Sequence, residues 1–390
     1  MRRLQLNMTF ACILSLAAPA LAASVTSTDY LIDVQPVASG LNHPWSMAWL
    51  PGKPGHWLVS ERNGRLLLID SQGKITRIEG APDAMKKGQG GLLGVALSPD
   101  FASSGEIFVA FAEADKSNGN LASTAVAKGK LVANRLIALE TIFSASPRFA
   151  GTHHFGGRLA VQDDCLWLTL GDRGERSSAQ DLNSHNGSVL RITFDGLPCP
   201  GNPQWQDAGA RPEIYTYGHR NIQGLAVTPT GEIWVHEHGP QGGDELNLIA
   251  KGSNYGWPVI TYGKNYGSGT DIGEGSHKEG MQQPVHYWVP SIAPSGLSSY
   301  QGKLFEKWHG NLLLGSLKFG LLVRLELRDG KVVAQEQLLN NQFGRIRDVA
   351  VGPDDAIYLL TDSNDGQLLR LTPAPAPAKD QIKPSKATTN

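Results

Sequence analysis

The chain runs to 390 residues, with 35 Lys and Arg against 36 Asp and Glu, a formal net charge of -1. Charges this balanced, with no basic stripe, exclude the electrostatic footprint of a nucleic-acid-binding protein. The length is more than enough for a large buried core.

Residues 1–23 have the three parts of a secretory signal. Arg2 and Arg3 give the positive start, Thr9 to Leu21 the apolar middle, and Ala20-Leu21-Ala22 the small-residue cleavage site. The apolar run is shorter than the ~20 residues that span a bilayer, so export to the periplasm with no membrane anchor is expected. Cys12 leaves with the signal, and Cys165 and Cys199 remain. An exported compartment permits a disulfide between them, but the sequence leaves open whether their Cα atoms come close enough.

From residue 24 to 372 one plan recurs: a short apolar strand, a turn rich in Pro, Asp and Gly, and a second strand ending near a charge. Met47–Leu50 turns into Trp57–Val59, Val95–Leu97 into Ile107–Val109, and Leu159–Val161 into Leu166–Leu168. Leu225–Val227 turns into Ile233–Val235 and Val349–Val351 into Ile357–Leu359, with a looser copy at Asn311–Leu314 before Leu321–Val323. These are hairpin signals, at spacings mostly near or above the ~40–50 residues of a propeller blade. No amphipathic helix period interrupts them. The expected fold is an all-β, six-bladed propeller of four-stranded antiparallel sheets, with its site where loops converge on the central channel. Residues 373–390, rich in Pro, Ala and Lys, cannot offset the entropy of ordering and are expected to form a disordered tail.

Four segments carry polar groups at turns rather than in the alternating core. In Gly88–Gly94 the glycines either let the backbone approach a ligand, with Gln89 beside it, or simply punctuate a turn. His153 and His154 precede a strand without a third ligand at zinc spacing. A single general base fits better, because the ordinary histidine pKa of ~6.5 suits proton abstraction near neutrality. From Tyr217 to Pro258, the Gly, Asn, Asp and Glu residues supply the hard oxygen donors that Ca²⁺ prefers, though without EF-hand spacing. Finally, Arg345 and Arg347 lie two apart on a strand-like segment and point the same way. With Arg220 and Lys318 they form either a cationic pocket for a ligand bearing several carboxylates or a set of unconnected ion pairs, Asp348 being nearest to hand.

The stretches GQGGLLG, YGHRNIQGLA, HGPQGGDELNLIAKGSNYGWP, SLKFG and GRIRDV, in this order, closely resemble the soluble glucose dehydrogenases and aldose sugar dehydrogenases that use pyrroloquinoline quinone (PQQ). The resemblance extends from about Leu41 to Leu371. It implies C1 oxidation of an aldose to a lactone, with hydride transfer to C5 of PQQ. His154 matches the catalytic base of that family, and Gln89 its cofactor-contacting glutamine. Arg220 and Asn221 match residues lying against PQQ, while Lys318, Arg345 and Arg347 match the cations that hold its oxygens. Gly239 and Pro240 match the carbonyl ligands of a catalytic Ca²⁺, and Glu245 and Tyr255 the ligands of a second, structural one.

This sequence departs from the glucose enzyme at three positions. His153 stands where that enzyme has a sugar-contacting acid, and His286 and the cofactor-side Ser291 where it has Tyr and Thr. Loops are also shorter, so a monomer acting on a range of aldoses is expected, passing electrons to an external quinone, cytochrome or dye. Two other readings fit a propeller. A calcium-dependent lactonase would use the acids Glu237, Asp244 and Glu245, whereas a non-catalytic binding propeller would need none of the cations.

Overall fold

The computed structural model describes residues 23–375; the expected signal up to residue 22 and the tail from 376 lie outside the described residues. Among the described residues no helix is long and apolar enough to cross a membrane.

Two strands, β1 (Ala23–Thr26) and β2 (Leu31–Leu41), come first. Blade I follows as β3 (Pro44–Trp49), β4 (Trp57–Glu61), β5 (Leu66–Ile69) and β6 (Ile75–Ile78). Blade II holds β7 (Leu92–Leu97), β8 (Glu106–Ala114), β9 (Ala122–Val132) and β10 (Arg135–Ser144). Blade III holds β11 (Leu159–Gln162), β12 (Cys165–Thr169), β13 (Ser188–Thr193) and β14 (Ile214–Tyr217). Blade IV holds β15 (Ile222–Val227), β16 (Ile233–Glu237), β17 (Asp244–Leu248) and β18 (His286–Trp288). Blade V holds β19 (Pro294–Ser299), β20 (Leu312–Ser316), β21 (Leu322–Arg328) and β22 (Lys331–Leu338). Blade VI is built from β23 (Ile346–Val351), β24 (Ile357–Thr361) and β25 (Gly366–Pro373), onto which β2 and then β1 add from the other end of the chain.

The six-bladed propeller expected from the repeats is therefore present, with five four-stranded blades and a sixth that carries a fifth strand. That extra strand starts at Ala23, which pairs with Val34, and β25 runs to Pro373, which pairs with Ile32. Ladder pairing in this blade therefore runs from Ala23 to Pro373. The looser repeat copy is also one strand out of step. Asn311–Leu314 and Leu321–Val323 fall on β20 and β21, and the innermost strand of blade V is the less apolar PSGLSS of β19.

Burial explains why second strands gave the plainest signal. β4, β12, β16, β20 and β24 are buried at every position, pressed between the faces of adjacent blades. A strand covered on both faces reads as a continuous apolar run, whereas the outermost β22 is largely exposed. The core is accordingly divided between blades. Leu58 and Leu66 of blade I pack with Val95 and Val109 of blade II, and Met47 and Val59 pack with Tyr358 and Leu360 of blade VI, closing the ring. Cys165 and Cys199 form a disulfide beside β12, their Cα atoms 6.2 Å apart, within the usual 4.4–6.8 Å range.

One irregularity repeats. In five innermost strands the register slips near the start: between Pro44 and Ser46, Leu92 and Val95, Ile222 and Gly224, Pro294 and Leu297, and Ile346 and Asp348. A bulge leaves a residue out of the ladder and re-aims it. In blades II and IV a glycine at the bulge is needed where inner strands crowd together. A Cβ on Gly94 would fall 2.3 Å from Gly157 O, and one on Gly224 2.1 Å from His236 Nε2.

Candidate active site

A cavity of about 930 Å³ lies where the N-terminal ends of the innermost strands converge, and all six blades contribute to it. Four residues skipped by the bulges, Trp45, Leu93, Gln223 and Arg347, are in its wall. The turns between second and third strands add Arg62, Pro240 and Lys318. The long segment between β17 and β18 also returns here, with Gln241 and Lys264 bonded through their backbones and Tyr262, Lys264 and Tyr266 walling the cavity. Arg62, Lys264, Lys318, Arg345 and Arg347 face the space, and no Asp or Glu is among the described residues lining it. The result is an electropositive cleft.

Two of its three arginines, Arg345 and Arg347, are gathered on one carboxylate. Asp362 Oδ2 accepts from Arg347 Nη2 at 2.9 Å and from Arg345 Nη2 at 3.2 Å, while Oδ1 meets His43 Nδ1 at 2.7 Å. Burial would raise the Asp362 carboxyl, but Arg347, His43 and Arg345 together hold it well below the usual carboxylate range. Arg347 is buried, and its Nε has no protein partner among the described residues. Asp348, the partner the sequence made nearest, is taken instead by Arg158 at 2.6 Å. Arg158 also donates to the backbone oxygens of Gln223 at 2.7 Å and Arg347 at 3.0 Å, so it holds two bulges in place.

His154 sits at the rim. Its neighbours Phe155 and Gly156 wall the cavity, and its side chain keeps 13% of its surface exposed. Its backbone is left-handed, with φ 56°, a conformation uncommon outside glycine. Two contacts hold it there. Its N–H donates to Gln89 Oε1 at 2.8 Å, and Gln89 N–H in turn donates to Thr152 O at 2.8 Å. The ring Nδ1 meets Asp172 Oδ1 at 2.7 Å. Asp172 is buried and also accepts from Gly174 N–H and from Trp257 Nε1, each at 2.8 Å. Burial lowers the His154 pKa, opposed by the Asp172 hydrogen bond and reinforced by the positive charge of Arg220. Burial thus favours the neutral form of His154, with Nδ1 committed to the carboxylate. His153 is exposed and meets the His154 ring edge-on, centroids 4.6 Å apart.

Asp172 is the residue the sequence reading missed. It lies in the turn after the second strand of blade III, three residues past Thr169, whereas Asp362 of blade VI follows Thr361 directly, so aligning strand ends does not single it out.

Arg220 is half-buried over the Trp257 ring, 5.3 Å from its centroid. Its Nη1 donates to His238 O at 3.0 Å and Gly239 O at 2.8 Å, and its N–H to Glu237 Oε2 at 2.5 Å. Asn221 is buried in the cavity wall, accepting from Gly156 N–H at 3.3 Å. The Gly239–Pro240 turn is anchored from below by Asp244, which accepts from Gly239 N–H at 2.9 Å. The other Asp244 oxygen accepts from Ser291 Oγ at 2.7 Å, so Ser291 serves this turn as well as lining the cavity. His286 falls elsewhere: it lies on β18 against Gln335 at 3.2 Å and is absent from the cavity wall.

Glu245 lies opposite Glu237 across β16 and β17, and Asn247 Nδ2 reaches both, at 3.4 and 3.3 Å. Burial and the nearby Glu237 charge raise the Glu245 carboxyl. Asn247 Oδ1 is buried without a partner among the described residues. The Tyr255 hydroxyl is already engaged, donating to Leu248 O at 2.7 Å and accepting from Ala250 N–H at 2.9 Å. Of Tyr255, this leaves the carbonyl as the group available to a cation.

The sequence family described as Glucose / Sorbosone dehydrogenase matches residues 41–370. The chain belongs to that family. It is therefore an oxidoreductase, a sugar dehydrogenase. Aldose sugar dehydrogenase YliI of Escherichia coli K12 is 38% identical over 360 residues, covering 90% of this chain and 96% of that protein. Quinoprotein glucose dehydrogenase B of Acinetobacter calcoaceticus is 27% identical, with 85% of each chain covered. Among solved structures, the PQQ-bound form of an aldose sugar dehydrogenase from Streptomyces coelicolor superposes with a TM-score of 0.73 at 32% identity, covering 87% of this chain and 98% of that one.

Proposed function

We propose that this dehydrogenase oxidises the anomeric C1–OH of aldose sugars to lactones, using PQQ and calcium, with His154 as the general base. The observation that carries the reading is an electropositive cavity beside a buried His–Asp pair. PQQ is a flat tricarboxylate, and the surplus of cations over carboxylates, with the unpartnered Arg347 Nε, suits it. When bound, PQQ supplies the two-electron acceptor for the C1 hydride and calcium the Lewis acid that polarises it.

The chain's own groups then have distinct work. Lys318, Arg345 and Arg347 hold the carboxylates of the cofactor, and Gln89, Asn221 and Ser291 border it. Arg220 offers a preplaced positive charge where negative charge grows. His154 takes the hydroxyl proton at Nε2, while Asp172 fixes the tautomer at Nδ1 and stabilises the imidazolium. The carbonyls of Gly239 and Pro240 are hard donors that would suit calcium. Glu245, the orphaned Asn247 oxygen and the Tyr255 carbonyl suit a second, structural ion. Export to the periplasm after cleavage of residues 1–23, a single propeller over 24–372 followed by a disordered tail, a monomeric state and an external quinone, cytochrome or dye as acceptor complete the proposal.

Hydrolysis has less support. Glu237, Asp244 and Glu245, on which a lactonase would depend, are spent on hydrogen bonds within the wall rather than lining the cavity. The deciding experiment is reconstitution with PQQ and Ca²⁺, followed by sugar-dependent dye reduction. His154→Ala should cut turnover ~100- to 10,000-fold while PQQ still binds, the range expected for loss of a general base. Near-normal turnover in that variant would remove His154 from the role.

A further inference from the structure

Beside the cavity runs a second groove of about 640 Å³, and Val289 and Pro290 belong to the walls of both. The two differ in kind. The cavity carries five Lys and Arg side chains, whereas the groove has none, and no Asp or Glu among the described residues lining it. His286, the imidazole among the groove's lining residues, is shifted by burial toward its neutral form. Phe319, 40% exposed, offers aromatic surface, Tyr287 is stacked on Tyr262 of the cavity wall with centroids 3.9 Å apart, and the Trp288 Nε1–H is satisfied by Gln335 Oε1 at 2.7 Å. Facing them are the exposed amides of Gln337, Asn340 and Asn341.

We propose that this groove is a second sugar subsite, taking the distal ring of a disaccharide or oligosaccharide whose reducing ring lies over His154; it rests on the aldose-oxidation reading. A pyranose presents apolar C–H faces and a rim of neutral hydroxyls. Aromatic surface packs against the first, and amides, each with donors and an acceptor, match the second. Lys318, whose Nζ lies 5.0 Å from the Phe319 ring centroid, belongs to the wall of the cavity rather than to that of the groove. The amide edge is also held in an unusual backbone. Leu339, Asn340 and Asn341 all have positive φ, at 70°, 39° and 64°, and Asn341 N–H donates to Gly320 O at 3.0 Å, next to Phe319. Strained backbone of this kind concentrates at ligand clamps.

The test compares glucose with maltose and cellobiose in the reconstituted full chain and in a Gln337→Ala, Asn340→Ala double variant. Both positions are exposed and outside the catalytic cavity. The expected result is a fall of about tenfold in kcat/KM for the disaccharides, the loss of two ordinary hydrogen bonds, with glucose unchanged. Equal effects on glucose and disaccharides, or none on either, would overturn the subsite. A second measurement is independent of catalysis: saturation-transfer NMR of methyl cellobioside, whose C1 is blocked, on the cofactor-free chain. Contact with the distal ring should be lost in the double variant, and contact retained in both proteins would overturn the proposal. If the wild type oxidises no aldose yet binds this glycoside through Gln337 and Asn340, the subsite stands and the catalytic reading falls.

Discussion

A single arginine and an arginine pair meet near the axis of the propeller, and they are built to opposite ends. Arg158 is closed: each of its guanidinium nitrogens has an acceptor, Asp348 neutralises it, and its face lies 4.3 Å from the Trp45 ring centroid. Asp348 in turn accepts from Met47 N–H at 2.9 Å, so one ion pair ties blades I, III, IV and VI together. Arg345 and Arg347 are open: they share one carboxylate, which also serves His43, and they border the cavity. Identical chemistry thus serves structure where charge is balanced and, in the function proposed above, ligand capture where it is left over.

The contrast can be broken by mutation. Asp348→Ala leaves the Arg158 charge buried and unpaired, so it should destabilise the fold by about 3–5 kcal/mol, read as a lowered denaturation midpoint. A stability close to wild type would mean that Arg158 is not the tie described. Arg347→Ala should act mainly on the ligand instead. Loss of a charged hydrogen bond, roughly 1.5–3 kcal/mol, weakens PQQ affinity by about 10- to 150-fold in a reconstitution titration. Arg345→Ala should cost less affinity, since its side chain is 52% exposed and screened by water, against 7% for Arg347. Unchanged affinity in both variants would undo the idea that uncompensated charge marks the binding site.

How much of this was legible in sequence follows from which residues obey a period. Buried second strands such as Ile233–Glu237 announce themselves by unbroken apolar runs, and the blade count came from them. The site residues are those that break the pattern. The repeats read as Val95-Ala96-Leu97, Leu225-Ala226-Val227 and Val349-Ala350-Val351 begin just after the bulges, so the re-aimed Leu93, Gln223 and Arg347 fall outside the alternation. Arg347 was noticed through its charge, and its inward direction came from the bulge rather than from spacing alone. Arg158 and Asp348, 190 residues apart, carried no local sign of pairing. Asp172 hid in a turn that reads like many acidic turns. Blade V shows the same limit, because Pro294–Ser299 is too polar to resemble its counterparts.

The pair between these extremes is His154 and Asp172, with a fully engaged carboxylate and an imidazole that keeps one nitrogen for chemistry. Its variant should show the subtlest change, in pH dependence. If His154 is the proposed base, it works only when neutral, so kcat/KM rises with pH through the His154 pKa. Burial holds that pKa below 6.5, which puts the acid limb of the wild-type profile below 6.5 as well. Asp172 raises the pKa against that burial, so Asp172→Asn should move the limb further down while lowering the plateau rate, because the amide no longer fixes the tautomer or stabilises the imidazolium. A limb that shifts upward, or a plateau unchanged by the substitution, would place Asp172 with the closed, structural ion pairs rather than with the chemistry.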